Sequence, residues 1–195
     1  MIHYVGLDFE TSCGDHSAWE NNAPIQIGLA TLNGVLGIDV HSSLIGGWNW
    51  FEYHWQEKAA DVHGISAKQV DMQSGELKVK DVDLLVSSWL TDRKRTNRYS
   101  TVAVGWGVSW FDRPFVSVYF PKLHELLSYR TLDLSSVCLY LANGSEKKHR
   151  SIKDAAKSYA AENMSEVLSD VTWHDAGYDA AAALLAKEYL DELIL

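Results

Sequence analysis

Cysteine, proline, basic charge and long apolar runs are all scarce in this chain. Cys13 and Cys138 are its only two cysteines, far apart and outside any Cys/His metal spacing, which argues against a disulfide scaffold and against a thiolate zinc site. Reduced thiols in a cytoplasm are the default for such a pair. Only three prolines occur in 195 residues, and no Pro-, Gly- or Ser-rich stretch interrupts them. With no linker to divide it, the chain is expected to form a single domain over residues 1–195 with a sizeable core. No apolar run approaches the ~20 residues of a membrane span, and a strand pattern at the start stands where a signal peptide would, so a cytoplasmic protein without membrane contact is expected. Lys and Arg number 17 against 26 Asp and Glu, a net charge of −9, which disfavours broad coating of duplex nucleic acid. A cleft holding one strand end is still compatible with that charge, because bound cations reverse the local sign.

The abundant acids include three informative clusters: Asp8 and Glu10 in GLDFET, Asp112 in SWFDRP, and Asp179 with His174 in HDAGYDA. In the first, Val5, Leu7 and Phe9 share one parity and Gly6, Asp8 and Glu10 the other, the period-two alternation of a strand with one apolar face. The two carboxylates then point the same way, about 6 to 7 Å apart along the strand. Like charges so placed repel and resist desolvation unless a cation lies between them, and divalent cations take oxygen ligands of this kind. In the third cluster Asp175 suits the N-cap of a helix running through AGYDAAAALLAKEYLDELI, which puts His174 in the preceding loop and Asp179 on the first turns. Four carboxylates and one imidazole are the parts for binding two divalent cations and activating a water beside them.

These clusters resemble the motifs of the DEDD superfamily of 3′-to-5′ exonucleases, in its DEDDh branch. The D-x-E-T motif is matched by Asp8, Phe9, Glu10 and Thr11, and H-x-A-x-x-D by His174 through Asp179 without a gap. The sister branch places Tyr four residues before the last Asp; here that position is Asp175. The second motif, N-x-x-F-D, is met at Phe111 and Asp112 but has Val108 in place of Asn. PIQIG at 24–28 looks like the family's second strand, HGIS at 63–66 like its substrate-side turn, and TLD at 131–133 like its last strand. The resemblance implies a ribonuclease H-like α/β fold, with a mixed central sheet, the first strand central and helices on both faces. Strands are expected first, then helices near 55–72 and 80–92, a strand near 101–105, a helix near 111–120, a short strand near 130–133 and three more helices. Small residues of the last helix, Ala176, Ala180, Ala181, Ala182, Ala183 and Ala186, are expected to let it approach the sheet and bring Asp179 to Asp8.

The resemblance further implies a metal-dependent exonuclease acting on the 3′ end of single-stranded DNA or RNA with two divalent cations, Mg²⁺ or Mn²⁺. Asp8 would bridge both ions, Glu10 and Asp179 would complete one ion's site, Asp112 would help hold the other, and His174 would take the proton of the attacking water. Thr11 matches a residue beside the 3′ end and Ile65 one that packs on the terminal bases. Trp110 and Phe111 flank Asp112, so one of them is expected to line the terminal nucleotide's pocket. The loop from Ser12 to Asn22 lies over the site by connectivity. Two basic clusters, Arg93, Lys94, Arg95 and Arg98, and Lys147, Lys148, His149, Arg150 and Lys153 before a helix, are either solvated loops or phosphate contacts. The segment GGWNWFEYHW at 46–55 holds three of the eight tryptophans, and suits either core packing of a strand and helix start or base stacking. The alternatives to the exonuclease are a phosphodiesterase acting on dinucleotides or nucleotide-tipped small molecules, and a non-catalytic docking module of the same fold. A homodimer or a polymerase or repair partner is compatible with either activity.

Overall fold

β1 (Ile2–Thr11) is the middle strand of a five-stranded sheet of order β3-β2-β1-β4-β5, in a computed structural model that describes residues 2–14, 21–33, 37–50, 52–73, 77–93, 100–164 and 173–194. β2 (Pro24–Asn33) and β3 (Gly37–Leu44) form an antiparallel meander with β1 on one side; β4 (Ser100–Gly105) and β5 (Leu127–Asp133) run parallel to it on the other. The sheet is therefore mixed, with helices on both faces, as expected.

The alternation of β1 decides the two faces. Val5, Leu7 and Phe9 are buried on one of them, among residues of α3 (Val79–Arg93), α4 (Asp112–Tyr119) and α5 (Pro121–Leu126), including Val82, Val86, Leu90, Phe115, Phe120 and Leu123. Burying each such side chain stabilises the fold by about 1.5–3 kcal/mol. The opposite face carries α6 (Leu134–Leu141), α7 (Glu146–Met164) and α8 (Ala176–Glu192). Here the contact is made backbone to backbone. A Cβ on Gly6 would lie 1.9 Å from the Ala180 carbonyl oxygen, and one on Gly28 would lie 1.8 Å from that of Ala176. The small residues of α8 thus do what the sequence suggests, with two glycines of the sheet as their complement.

Several elements depart from the expected pattern. The helix near 55–72 is two, α1 (Glu57–His63) and α2 (Ala67–Gln73), because Gly64 adopts a left-handed φ of 70° and caps the first through its N–H to Ala60 O. α5 follows α4 almost directly; Pro121 starts it, and the buried Asp83 of α3 accepts from the N–H groups of Lys122 and Leu123 at its first turn. The aromatic segment 46–55 is neither strand nor helix. β3 ends at Leu44, and Trp48, Trp50, Tyr53 and Trp55 lie half-buried against Ala23, Ile25, Ile65 and Val70, so core packing holds without the predicted elements; Phe51 lies outside the described residues. Lys147 through Lys153 belong to the first turns of α7 instead of preceding it. Lys94, Arg95 and Arg98, and residues 15–20 of the loop over the site, lie outside the described residues. Among the described residues, no helix is long and apolar enough to cross a membrane.

Candidate active site

Asp8 and Glu10 stand near the carboxyl end of β1, on the face that α8 covers. Asp8 pairs across the ladder with Gly28 and Glu10 with Gln26, and the absence of a side chain at Gly28 is what admits α8 so close. Gln26, which sequence patterning marks only as a strand residue, then anchors the start of that helix. Its Oε1 accepts from Ala176 N at 3.1 Å and its Nε2 donates to Asp175 Oδ2 at 2.7 Å and Ser42 Oγ at 2.9 Å. Asp175 is the N-cap as expected, accepting from the N–H groups of Gly177 and Tyr178 at 2.9 and 3.1 Å. A buried amide on the second strand, hydrogen-bonded in three directions, thus sets where Asp179 emerges.

His174 precedes this cap in a left-handed conformation, φ 70°, that costs a non-glycine residue about 1–2 kcal/mol. Its N–H donates to Asp179 Oδ2 at 3.2 Å, and its ring is exposed. Ligand atoms of Glu10, His174 and Asp179 all lie within 4.8 Å of one another. The other oxygen of Asp179, Oδ1, is buried and has no partner among the described residues.

Asp112 arrives from the opposite direction, at the first turn of α4. It is 1% exposed, and its Oδ1 accepts from Phe9 N at 3.0 Å. That bond ties it to the main chain between Asp8 and Glu10. Val108, at the position where the motif has Asn, is fully buried in the core beneath.

All four carboxyl groups hold protons far more tightly than usual. Burial, then the charges of Asp112, Asp179, Glu10 and Asp175, push Asp8 well up. Burial and the Asp179 charge push Glu10 to about 9. Asp112 rises to about 8 through burial, against the relief given by the Phe9 N–H. Asp179 rises to about 6 through burial, eased by the His174 N–H and the Lys157 cation. Carboxylates so buried and so close strongly favour a cation among them.

Beside Glu10 opens a cavity of about 390 Å³, walled by Thr11, Cys13, Val62, His63 and Phe111 among others. Thr11 and Phe111 are thus beside the acidic group. Ile65 is 8% exposed and sits in the core cluster with Ala23, Ile25 and Val70, and Trp110 is 57% exposed with its indole against Gly107. Neither is among the residues of that wall; Val62 and His63, from the turn ahead of Ile65, are. His63 Nδ1 accepts from Ile65 N at 3.0 Å, while Nε2 is buried without a partner among the described residues. Burial lowers its pKa, the Thr11 main chain opposes this, and the nearby His174 lowers it further. The wall is set by the helix end at Gly64, which pattern reading merged into one long helix.

No family model and no curated protein matches the chain. Solved structures do. The nuclease domain of 3′hExo, a DEDDh family member, bound to rAMP, is 17% identical with a TM-score of 0.60, over 97% of this chain and 92% of that one. A 3′-exonuclease described in 3′-end specific recognition of histone mRNA stem-loop is 14% identical with a TM-score of 0.58, over 100% and 83%. Exonuclease I of E. coli, in a zinc-bound complex with single-stranded DNA, is 13% identical with a TM-score of 0.58; all of this chain is covered but only 42% of that one. The chain therefore spans less than half the length of exonuclease I, and nearly the whole of the 3′hExo domain. At these identities the likeness is one of fold, and that fold is the ribonuclease H-like fold of the DEDDh-type 3′-to-5′ exonucleases.

Proposed function

We propose that the protein is a metal-dependent 3′-to-5′ exonuclease that releases nucleoside monophosphates from single-stranded nucleic acid. The observation that carries this reading is the meeting of Asp8, Glu10, Asp112 and Asp179 beside His174, with Asp179 Oδ1 buried and unpartnered among the described residues. Oxygen donors and one imidazole suit Mg²⁺ or Mn²⁺ and do not suit a soft metal. Asp8 would be shared by two ions, Glu10 and Asp179 would complete one site and Asp112 the other. When bound, two such ions stabilise the attacking and the leaving oxygen of a phosphoryl displacement.

The chain's own residues supply the rest. His174 takes the proton of the attacking water at a ring nitrogen, and its exposure lets that proton pass to solvent. Asp179, accepting from the His174 N–H, keeps the imidazole's loop against the acidic group. Thr11 and Phe111 line the cavity for the terminal nucleoside. The proteins of like fold include one in complex with single-stranded DNA and one described with an mRNA stem-loop, which supports a nucleic-acid 3′ end as substrate. The rival reading of His174, direct ligation of an ion in place of proton transfer, rests on the ligand atoms of Glu10, His174 and Asp179 within 4.8 Å, and weakened metal affinity on its removal would distinguish it.

Matched 5′-labelled DNA and RNA oligonucleotides, each with Mg²⁺ or Mn²⁺, test the activity. A ladder of shortening products, blocked by a 3′-phosphate, is expected. Fragments released from a circular substrate would overturn the exonuclease, cleavage of dinucleotides alone would favour the phosphodiesterase, and binding without hydrolysis would leave a docking module.

A further inference from the structure

On the α7 side of the acidic group, two lysines one helical turn apart share one aromatic surface. Lys153 Nζ lies 5.5 Å from the Trp106 ring centroid and Lys157 Nζ lies 5.7 Å from it; Lys157 also lies 4.7 Å from the Trp173 ring. Trp106 directly follows β4, where Gly105 approaches the carbonyl oxygen of Leu7, and Trp173 directly precedes His174. The two indoles thus come from separate segments, the end of β4 and the loop before α8, and Lys157 lies over both. A groove of about 250 Å³ opens there, lined by Lys157, Ser158, Ala161 and Trp173.

Holding two ammonium groups over one ring brings like charges together, and in a chain of net charge −9 carboxylate partners are plentiful. Yet among the described residues the ion pairs are Arg93–Asp39, Arg150–Glu146 and Lys187–Asp191, and neither lysine takes part in one. Burial, then the Lys153 cation, lowers the pKa of Lys157, while Asp179, Asp154 of the same helix and Asp8 oppose this from farther than ion-pair distance. Cation–π contact fixes such heads with little loss of charge, leaving three donors on each for an outside anion.

We propose that Lys153 and Lys157, set on Trp106 and Trp173, form a phosphate site that grips a phosphodiester of the bound strand beside the acidic group. This rests on the nuclease reading and adds to it where the strand runs: along α7, past Trp173. Phosphates are the anions such compact point charges take on single strands, and an adjoining indole offers a face for a base. The lysines bind and orient; they take no part in bond breaking.

The test compares Lys157→Met and Lys153→Met, which keep the stems on the indoles, with Lys157→Arg and with Lys122→Met, an exposed lysine on α5. On a single-stranded oligonucleotide each of the first two should raise KM roughly tenfold, as loss of one charge-assisted contact implies. Each should also flatten the slope of log(kcat/KM) against log salt by about 0.7, the value for one phosphate on a single strand. Lys157→Arg should restore most of the affinity, and Lys122→Met should keep the wild-type slope. Unchanged KM and salt slope in active variants would overturn the phosphate site and leave the nuclease standing. An equal weakening of inhibition by a nucleoside 5′-monophosphate would assign the lysines to the departing phosphate and overturn the strand assignment. A wild-type protein inactive on every oligonucleotide and on a nucleoside 5′-phosphate aryl ester would overturn the nuclease and this site together.

Discussion

Without metal, the protein should lose stability as pH rises through neutrality. Glu10 is pushed to about 9 and Asp112 to about 8 in the folded state, against about 4 for an unfolded carboxyl group. Between those limits the folded state keeps protons that the unfolded state has released. The stability they provide is therefore complete below about pH 4 and falls as pH rises towards the folded values. Each site contributes about 1.4 kcal/mol per pH unit in that window, so two sites set a ceiling of about 5 kcal/mol between pH 6 and 8. Water entering beside the half-buried Asp8 and adjustment of the exposed His174 reduce this to about 2 to 3 kcal/mol. For a chain of this length that is a drop of about 5 to 10 °C in melting temperature. Thermal melting in chelator at pH 6, 7 and 8 measures it, and Asp112→Asn should roughly halve the slope. Saturating Mn²⁺ should reverse the trend, because it displaces the same protons; at a hundredfold over its Kd it adds about 2.7 kcal/mol. A metal-free melting temperature that is flat or rising from pH 6 to 8 would refute the crowding of carboxylates on which the site rests.

Asp8→Ala should abolish hydrolysis in Mg²⁺ while raising the metal-free melting temperature at pH 8, since it removes the group that repels the other acids; near-normal turnover with metal bound would contradict the shared-ligand role. His174→Ala should lower the rate by ~10² to 10⁴ and remove an inflection in the pH–rate profile near the imidazole range, with metal affinity little changed; a large loss of metal affinity, read by calorimetry, would assign it as a ligand instead. Gly6→Ala should destabilise the protein by roughly 1–3 kcal/mol or more through overpacking, because the new methyl would meet the Ala180 carbonyl oxygen at 1.9 Å; an unchanged melting temperature would show that α8 can lift off the sheet freely.

Much of the fold was legible because its signals are local. The alternation through Val5, Leu7 and Phe9 predicts both faces of β1, Asp175 predicts the start of α8, and the alanines predict its close approach. The acidic set shares this legibility, since each member lies in a compact motif. Illegible features are those in which a residue answers to a distant one. Gln26 looks like any polar strand residue until Asp175 and the Ala176 N–H arrive from 149 and 150 residues away. Gly64 is one glycine in a helical pattern, and only its left-handed φ reveals that His63 and Val62 end a helix facing the cavity while Ile65 turns inward. Val108, which departs from the motif, is explained by the fully buried place it fills under β4.

The backbone contact between β1 and α8 also divides the molecule's tolerance to change. On the α3–α5 side, strand and helices are held apart by interlocking side chains, whose sizes can be exchanged in compensating ways. On the α8 side nothing lies between the two main chains to exchange, so the spacing of Asp8 from Asp179 is a property of peptide geometry. Stabilising substitutions, and natural drift, can accumulate on the first side without retuning the acids, whereas residues 6 and 28 offer no such latitude.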